Sequence, residues 1–215
     1  MQQPDLTAHP VRLSERLRGE TAEAHHQLDS QTALAVLMQP ELTELAYGRS
    51  LFCLYHAWAP AESAIEQLLE EQAAHPAVAS LSCYYFPRRQ ALEVDLAELA
   101  WPLPHVSPFE VRPCDGSLVS PEAALAGQLY VIAGGQLGSV LIERRVSAAN
   151  PNLPLRFFQA RPADLGQRWA GFRACLDSQF ASIEAQARVI ESANRTFCHF
   201  IERLNEASRS ALSNG

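Results

Sequence analysis

Apolar residues recur every three or four positions along most of this chain, which is the spacing of one face of an α-helix. No segment alternates between apolar and polar residues for long enough to predict a β-strand. The pattern therefore predicts an all-α protein. Helices are expected over residues 12–29, 41–72, 87–99, 120–146 and 162–208, the last range forming two helices or one helix with a kink near residues 177–180.

Proline and serine mark where several of these helices begin, bend and end. Ser120 and Pro121 form a helix start, with serine at the N-cap and proline at the first helical position. Pro60 lies inside the second predicted helix and is expected to kink or split it. The four prolines in residues 101–117 predict a loop, and residues 147–155 predict the next break.

Length and composition are typical of one domain with a sizeable core. The chain has 215 residues, of which 47% are hydrophobic and 19% are charged. We expect residues 12–208 to form a single helical domain, flanked by tails over residues 1–11 and 209–215. The net charge of −7 argues against nucleic acid as a main partner.

The cysteines and the N-terminus indicate a compartment. An odd set of cysteines without a CxxC pair is typical of reduced thiols and predicts a cytoplasmic protein. The N-terminal residues contain no apolar run, so no secretory signal is expected. The five cysteines are Cys53, Cys83, Cys114, Cys175 and Cys198.

One uncharged stretch, residues 123–142, has the length of a membrane-spanning helix. It also contains a small-xxx-small pair, Gly134 and Gly138, as found where membrane helices pack together. However, seven of these 20 residues are Gly, Gln or Ser. A fully buried helix in a bundle also lacks charges. We therefore expect a core helix and no membrane insertion.

The first predicted helix places three polar side chains beside its apolar stripe. On a wheel of 100° per residue, Arg18, His25 and Asp29 share one edge, whereas His26 faces away. Arg18 and His25 are about 10 Å apart. This spacing would let the imidazole meet a metal at the centre of a flat anionic ligand while the guanidinium meets its rim. Asp29 could accept the other ring N–H, as partners of metal-bound histidines do. An edge of ordinary solvated side chains is the alternative interpretation.

Three glycines, Gly134, Gly135 and Gly138, interrupt the helix predicted over residues 120–146. Each glycine inside a helix costs about 1 kcal/mol relative to alanine. We therefore expect that a neighbouring group requires backbone without side chains at these positions. A close helix–helix crossing would impose it, and so would a large flat ligand that lies against the helix.

Two segments resemble the heme oxygenase family. LRGETAEAHHQLD, residues 17–29, is similar to the family's proximal-helix pattern L-[KR]-x-x-T-x-x-x-H. GQLYVIAGGQLGSVLIERR, residues 127–145, is similar to its glycine-rich distal helix. With weaker similarities elsewhere, the resemblance extends from residue 17 to residue 208. The bacterial, biliverdin-producing type that serves bacteriophytochromes is the most similar.

The resemblance implies a single heme oxygenase bundle that holds heme between these two helices. It implies His25 as the axial iron ligand and Asp29 as its hydrogen-bond acceptor. Arg18 would meet the heme propionates, and Arg173 and, less specifically, Arg168 would add positive charge there. The other implied site residues are the catalytic distal glycines Gly134, Gly135 and Gly138 and the heme contacts Thr21, Ser139 and Phe197.

The implied activity is that of an oxidoreductase. It cleaves heme, which is both substrate and cofactor, to biliverdin, CO and ferrous iron with O2 and electrons. A separate ferredoxin or reductase is implied as electron donor, because the sequence holds no flavin or dinucleotide fingerprint. A bacteriophytochrome apoprotein is the implied recipient of the biliverdin.

The chain departs from the family pattern on the distal helix. Bacterial relatives often carry a glutamate where this chain has Ala133, and the mammalian type carries an aspartate where it has Gly135. The polar groups above the iron are then expected from backbone carbonyls, Gln136, Ser139 or another element. This departure concerns turnover more than heme binding.

Other functions stay open from the sequence. The missing acid keeps a non-catalytic heme- or biliverdin-binding protein as the main alternative, followed by a non-heme relative with the same bundle and a helical interaction module. The remaining histidines form no HxxxH or HExxH set, so a preformed zinc or di-iron site is not expected. His56 is predicted to be an interior histidine. Arg144 and Arg145 are predicted to cap a helix, with reductase docking as the alternative.

Overall fold

Helices make up most of the described chain, which in this computed structural model comprises residues 11–106, 108–109 and 119–213. No β-strand occurs within these residues, and the predicted all-α, single-domain class is confirmed. The helices are α1 Leu13–Glu20, α2 Ala22–Asp29, α3 Thr32–Ala35, α4 Glu44–Glu71, α5 Pro76–Ser82, α6 Arg89–Glu98, α7 Pro121–Ala149, α8 Arg156–Gln159, α9 Leu165–Gln179 and α10 Ile183–Ser213, with a 3₁₀ turn at Val36–Met38.

The centre of the molecule is built from three long helices, with α10 packed along α7 and α4. The first part of α7 is apolar on all sides, and every residue from Ala123 to Leu129 is buried. α10 buries one face instead, where residues three and four apart face the core. That face includes Val189, Ala193, Phe197, Phe200 and Leu204.

α7 and α10 approach each other closely at Gly127. A Cβ atom on this residue would lie 2.5 Å from the Cβ of Ser192 and 2.6 Å from the backbone nitrogen of Ala193. The Ser192 hydroxyl donates across the same contact to the carbonyl of Ala124, at 2.9 Å. Only glycine leaves room for the two backbones to cross at this distance.

The first predicted helix is in fact two helices, separated at Thr21. The backbone of Thr21 leaves helical geometry, with φ −109° and ψ 1°. Its buried hydroxyl donates to the carbonyl of Leu17 at 2.7 Å, a side-chain bond of the kind that bends helices. The single wheel over residues 12–29 is therefore wrong as a description of this segment.

α4 runs from Glu44 to Glu71 without interruption, so Pro60 does not split it. Pro60 and the residues around it are buried. Packing against the core therefore offsets the backbone hydrogen bond that proline cannot make. Residues 162–208 contain two helices, the first of the two arrangements expected, and α10 continues to Ser213 beyond the predicted domain end.

Two fully buried carboxylates hold the shorter helices in place. Glu62 of α4 accepts hydrogen bonds from the backbone N–H groups of Arg88, at 2.7 Å, and Arg89, at 2.9 Å, where α6 begins. Asp95 of α6 accepts in the same way from the backbone of Phe157, at 2.8 Å, where α8 begins. A carboxylate at a helix N-terminus satisfies free N–H groups and interacts favourably with the helix dipole. α4 thus positions α6, and α6 positions α8.

α7 is the one helix among the described residues that is long and apolar enough to cross a membrane. Half of its most apolar window is buried inside the protein. A core helix has the same composition, so this finding is weak support for a membrane span. The four described cysteines hold no disulfide, and Cys114 and most of the predicted N-terminal tail lie outside the described residues.

Candidate active site

A cavity of about 580 Å³ is lined mainly by α2, α7 and α10. Two residues each from α4 and α8, one from α9, Leu34 of α3 and Met38 of the 3₁₀ turn complete the lining. This volume is in the range of small-molecule and cofactor sites, which are mostly apolar with few polar groups. α2 and α7, both described throughout, do not contact each other. They form separate walls of one cavity. Met38, Leu137 and Leu141 line it while remaining exposed.

His25 of α2 is the imidazole in the cavity wall. Its Nδ1 lies 3.1 Å from Oδ2 of Asp29 one turn later, and about two thirds of each side chain is exposed. Because Nδ1 faces the Asp29 carboxylate, Nε2 is the ring nitrogen that is available to a metal. The ring edge contacts Phe197, whose centroid is 5.8 Å away. Phe197 also lines the cavity, whereas His26 does not.

A positively charged edge lies beside the cavity at Tyr130 of α7. Burial raises the pKa of the Tyr130 hydroxyl, while its hydrogen bond with Thr21 and the charges of Arg18 and Arg173 act to lower it. Neither arginine lines the cavity, nor does Thr21, but all three act on Tyr130, which does. Arg18 lies on α1, Tyr130 on α7 and Arg173 on α9, so three helices form this edge. It is not the edge of one continuous helix, because helical geometry breaks at Thr21.

Arg168, the less specific member of the expected set, points elsewhere. Its guanidinium donates to the carbonyl of Cys83 at the end of α5. It does not line the cavity, whereas its neighbour Trp169 does. Arg168 therefore binds α9 to α5.

The glycine segment, which we define as Ala133–Ser139 of α7, lines the second wall. A Cβ atom on Gly138 would meet nothing within 4 Å, and one on Gly134 would make an ordinary 3.8 Å contact with Trp169. A Cβ atom on Gly135 would come within 3.2 Å of Trp58. A tight helix crossing therefore does not explain Gly134 or Gly138. These residues present bare backbone to the cavity.

The hydroxyl of Ser139 is the polar side-chain group that the glycine segment contributes to the cavity lining. It donates to the carbonyl of Gly135 at 3.0 Å and accepts from Nη2 of Arg88 at 2.8 Å. Its hydrogen is therefore committed, and only a lone pair remains for the cavity. Gln136 is buried and donates to the carbonyl of Phe86 at 3.3 Å, outside the lining.

Sequence reasoning missed the lining aromatic residues Trp58, Tyr130 and Trp169, and it missed Arg88 and Glu62 behind the lining. Arg88 and Glu62 are almost completely buried, and neither lies in a motif that would mark it. The only hint in the sequence is that Glu62, a charged residue, lies inside an apolar run of α4. Their connection spans 26 residues and exists only in the folded chain.

The cavity fits a flat porphyrin. One wall offers the His25 imidazole, and the other offers bare backbone at Gly134 and Gly138. The charges of Arg18 and Arg173 act on Tyr130 at one edge. Protein cavities for such ligands combine apolar walls with a few placed polar groups. No group of three or more potential metal-ligating side chains lies together in the described part of the chain.

Comparison with known proteins adds independent findings. The family model described as heme oxygenase matches residues 11–206. A heme oxygenase from Xanthomonas campestris pv. campestris (strain 8004) is 36% identical over 94 residues. That match covers 41% of this chain and 56% of the relative, so it spans about half the relative's length.

Solved structures with the same fold include three heme oxygenases. The Leptospira interrogans protein has a TM-score of 0.68 at 20% identity, covering 91% of this chain and 100% of its own. Heme oxygenase-1 from Synechocystis sp. PCC6803 in complex with heme has a TM-score of 0.67 at 19% identity, covering 95% and 96%. The NO- and CO-bound Neisseria meningitidis protein has a TM-score of 0.66 at 19% identity, covering 93% and 94%.

Proposed function

Because this chain belongs to the heme oxygenase family, we propose that it cleaves heme to biliverdin, CO and ferrous iron with O2 and electrons. The observation that carries the proposal is the pairing of His25 and Asp29 on one cavity wall with the bare backbone of Gly134 and Gly138 on the other. An apolar cavity with only one of these walls would suit many ligands. The two together suit a metal-centred flat ring.

Each wall has its own task in this proposal. Nε2 of His25 binds the iron, and Asp29 holds the ring through Nδ1, which fixes its tautomer and orientation. Arg18 and Arg173 bind the propionates and set the rotation of the ring in its plane. Gly134 and Gly138 admit the ring close to the backbone of α7. When bound, heme supplies both the substrate carbon and the iron at which O2 is reduced.

The walls also control water and protons. The lining aromatic side chains, including Trp58, Phe157 and Phe197, exclude bulk water from one side of the ring. Because the Ser139 hydroxyl proton is held by the Gly135 carbonyl, this hydroxyl can only accept a hydrogen bond from a cavity group. The polarity of this wall thus comes from groups other than a carboxylic acid.

The proposed electron donor and the proposed recipient of the product rest on sequence features and on the resemblance to the family. No flavin or dinucleotide fingerprint occurs in the sequence, so we propose a separate ferredoxin or reductase as electron donor. A bacteriophytochrome as recipient of biliverdin, and a cytoplasmic location, rest on the sequence resemblance and the scattered cysteines alone.

A hemin titration with two matched variants tests the proposal. Added hemin is expected to give the Soret band of a histidine-ligated heme in the wild type and in His26→Ala. His25→Ala is expected to lose that spectrum, because it removes the nitrogen held by Asp29. Loss in His26→Ala with retention in His25→Ala would move the ligand to the neighbouring residue, and no change with hemin in the wild type would refute the proposal.

A non-catalytic heme-binding protein is the second candidate function. The observation that favours it is the absence of an acidic side chain in the glycine segment, where Ala133 and Gly135 stand. Ascorbate added to the heme complex in air separates the two functions. The proposed enzyme is expected to convert the Soret band into the bands of verdoheme and biliverdin, whereas a carrier would keep an intact heme spectrum.

A further inference from the structure

We infer that Arg88 supplies the positive charge of the cavity wall formed by the glycine segment and positions the side chains of that wall, an assignment that rests on the proposed function. Arg88 precedes α6 and is 1% exposed. It lies behind the cavity lining and contacts three lining residues, so it is a positioning residue.

Contacts with three lining residues connect Arg88 to the cavity. Its Nη2 donates to the Ser139 hydroxyl and to the carbonyl of Phe157, both at 2.8 Å. Its guanidinium carbon lies 4.1 Å from the ring centroid of Phe157 and 4.8 Å from that of Trp58. One planar cation thus holds a hydroxyl of α7 and two aromatic rings of α8 and α4, and all three residues line the cavity.

The charge of Arg88 is not neutralised by direct contact. Among the described residues no carboxylate forms an ion pair with its guanidinium, and Nη1 is buried without a hydrogen-bond partner. The carboxylate of Glu62 lies nearby, but it accepts from two backbone N–H groups and, at 2.5 Å, from the indole of Trp58. Burial lowers the pKa of Arg88 to about 9, so the guanidinium stays protonated at neutral pH.

A buried cation that is balanced only by a nearby carboxylate, without a direct ion pair, is expensive to hold, and such groups cluster at functional sites. Its field acts strongly because the surrounding rings exclude water. A small anion bound at the iron on this side is therefore attracted by Arg88, whereas a neutral ligand of similar size is not. This difference separates a charge effect from a purely structural role.

The experiment compares azide, an anion, with CO, which is neutral, on the heme complex of the full chain. Arg88→Gln removes the charge and keeps hydrogen-bond donors, and Arg89→Gln alters the adjacent, partly exposed arginine as a control. Arg88→Lys keeps the charge when all variants are compared at about pH 6, where a buried ammonium group is still protonated. In Arg88→Gln the azide dissociation constant is expected to rise about tenfold while CO affinity changes less than about twofold. Arg88→Lys is expected to stay within about threefold of the wild type for both ligands, and Arg89→Gln to match it.

The outcomes are distinguishable. A wild type that leaves hemin unaltered refutes the proposed function itself. A wild type that binds heme, together with an Arg88→Gln variant of unchanged azide affinity, overturns the role of Arg88 alone. Equal losses for azide and CO in a folded variant would show a structural role and also overturn the assignment. If Arg88→Gln does not fold, Arg88→Lys decides, because a tenfold loss of azide affinity there would contradict a role for the charge.

Discussion

The two halves of α7 use glycine differently. In the packed half, residues 121–132, Gly127 allows α10 to cross so closely that a single added carbon would lie 2.5 Å from Ser192. In the cavity half, residues 133–149, a carbon added to Gly138 would meet no protein atom within 4 Å. The same residue type therefore allows close packing in one half and leaves open space beside the cavity in the other.

This contrast shows where stability and function separate along one helix. The packed half contributes buried apolar area and fixes α7 against the core. In the cavity half, three glycines lower the stability of the helix, and packing against other parts of the protein offsets little of that loss. We therefore expect alanine in place of glycine to destabilise the protein in the packed half and to stabilise it in the cavity half.

The largest expected effect is a loss of stability at low pH, caused by His199 on the packed face of α10. Burial lowers the pKa of His199 from 6.5 to about 4, while its Nε2–H donates to the carbonyl of Ala57 at 3.0 Å and its ring stacks on Phe109. The folded state therefore favours the neutral ring. The contribution of neutral His199 to the free energy of unfolding is fully present above pH 6.5. It is lost as pH falls, because the histidine of the unfolded chain is protonated at a higher pH than that of the folded protein. The loss reaches about 3 kcal/mol near pH 4.

Urea unfolding at pH 7.5 and pH 5 measures this effect, with about 2 kcal/mol of difference expected from His199 over that range. His199→Gln is the control, because it can donate to Ala57 but does not titrate. Its pH dependence should be flatter by that amount. Half-buried His56, whose pKa is also lowered by burial, adds a smaller slope in both proteins. Identical slopes in the two proteins would contradict the role of His199.

The second effect tests the crossing directly. Gly127→Ala places a methyl group against the backbone nitrogen of Ala193, which cannot move without displacing α10. Overpacking of this kind outweighs the gain in helix propensity, and a net loss of about 2 kcal/mol is expected. Gly19→Ala is the matched control, because a Cβ atom there meets nothing within 4 Å. If both variants unfold at the same urea concentration, the crossing is not as close as described.

How far the sequence predicted this molecule depends on how local each signal is. The start of α7 at Pro121 follows from proline chemistry within one turn, and the structure has the helix begin there, although the Ser120 side chain makes no cap hydrogen bond. The approach of His25 to Asp29 depends on one helical turn, and it is also present. The break at Thr21 is local too, but threonine in a helix often does not cause one, so its residue type predicts no interruption.

Long-range contacts could not be predicted in this way. Glu62 and Arg88 meet across 26 residues, and Asp95 and Phe157 across 62. Their side chains signal nothing until α4, α6 and α8 are packed. The glycines illustrate the same limit, because the sequence shows the absence of a side chain but not which neighbour requires it. Gly127 and Gly138 look alike until the atoms around each are known.

The smallest expected effect is the most specific test of the cavity half. Gly138→Ala adds a methyl group in open space, so the heme-free protein should become more stable by about 1 kcal/mol, the propensity difference between glycine and alanine. Gly135→Ala is the matched control, since its 3.2 Å approach to Trp58 should cancel most of that gain. Hemin affinity should fall in Gly138→Ala, because the methyl group occupies space that the ring needs. A more stable protein with unchanged hemin affinity would show that bare backbone at Gly138 serves no ligand.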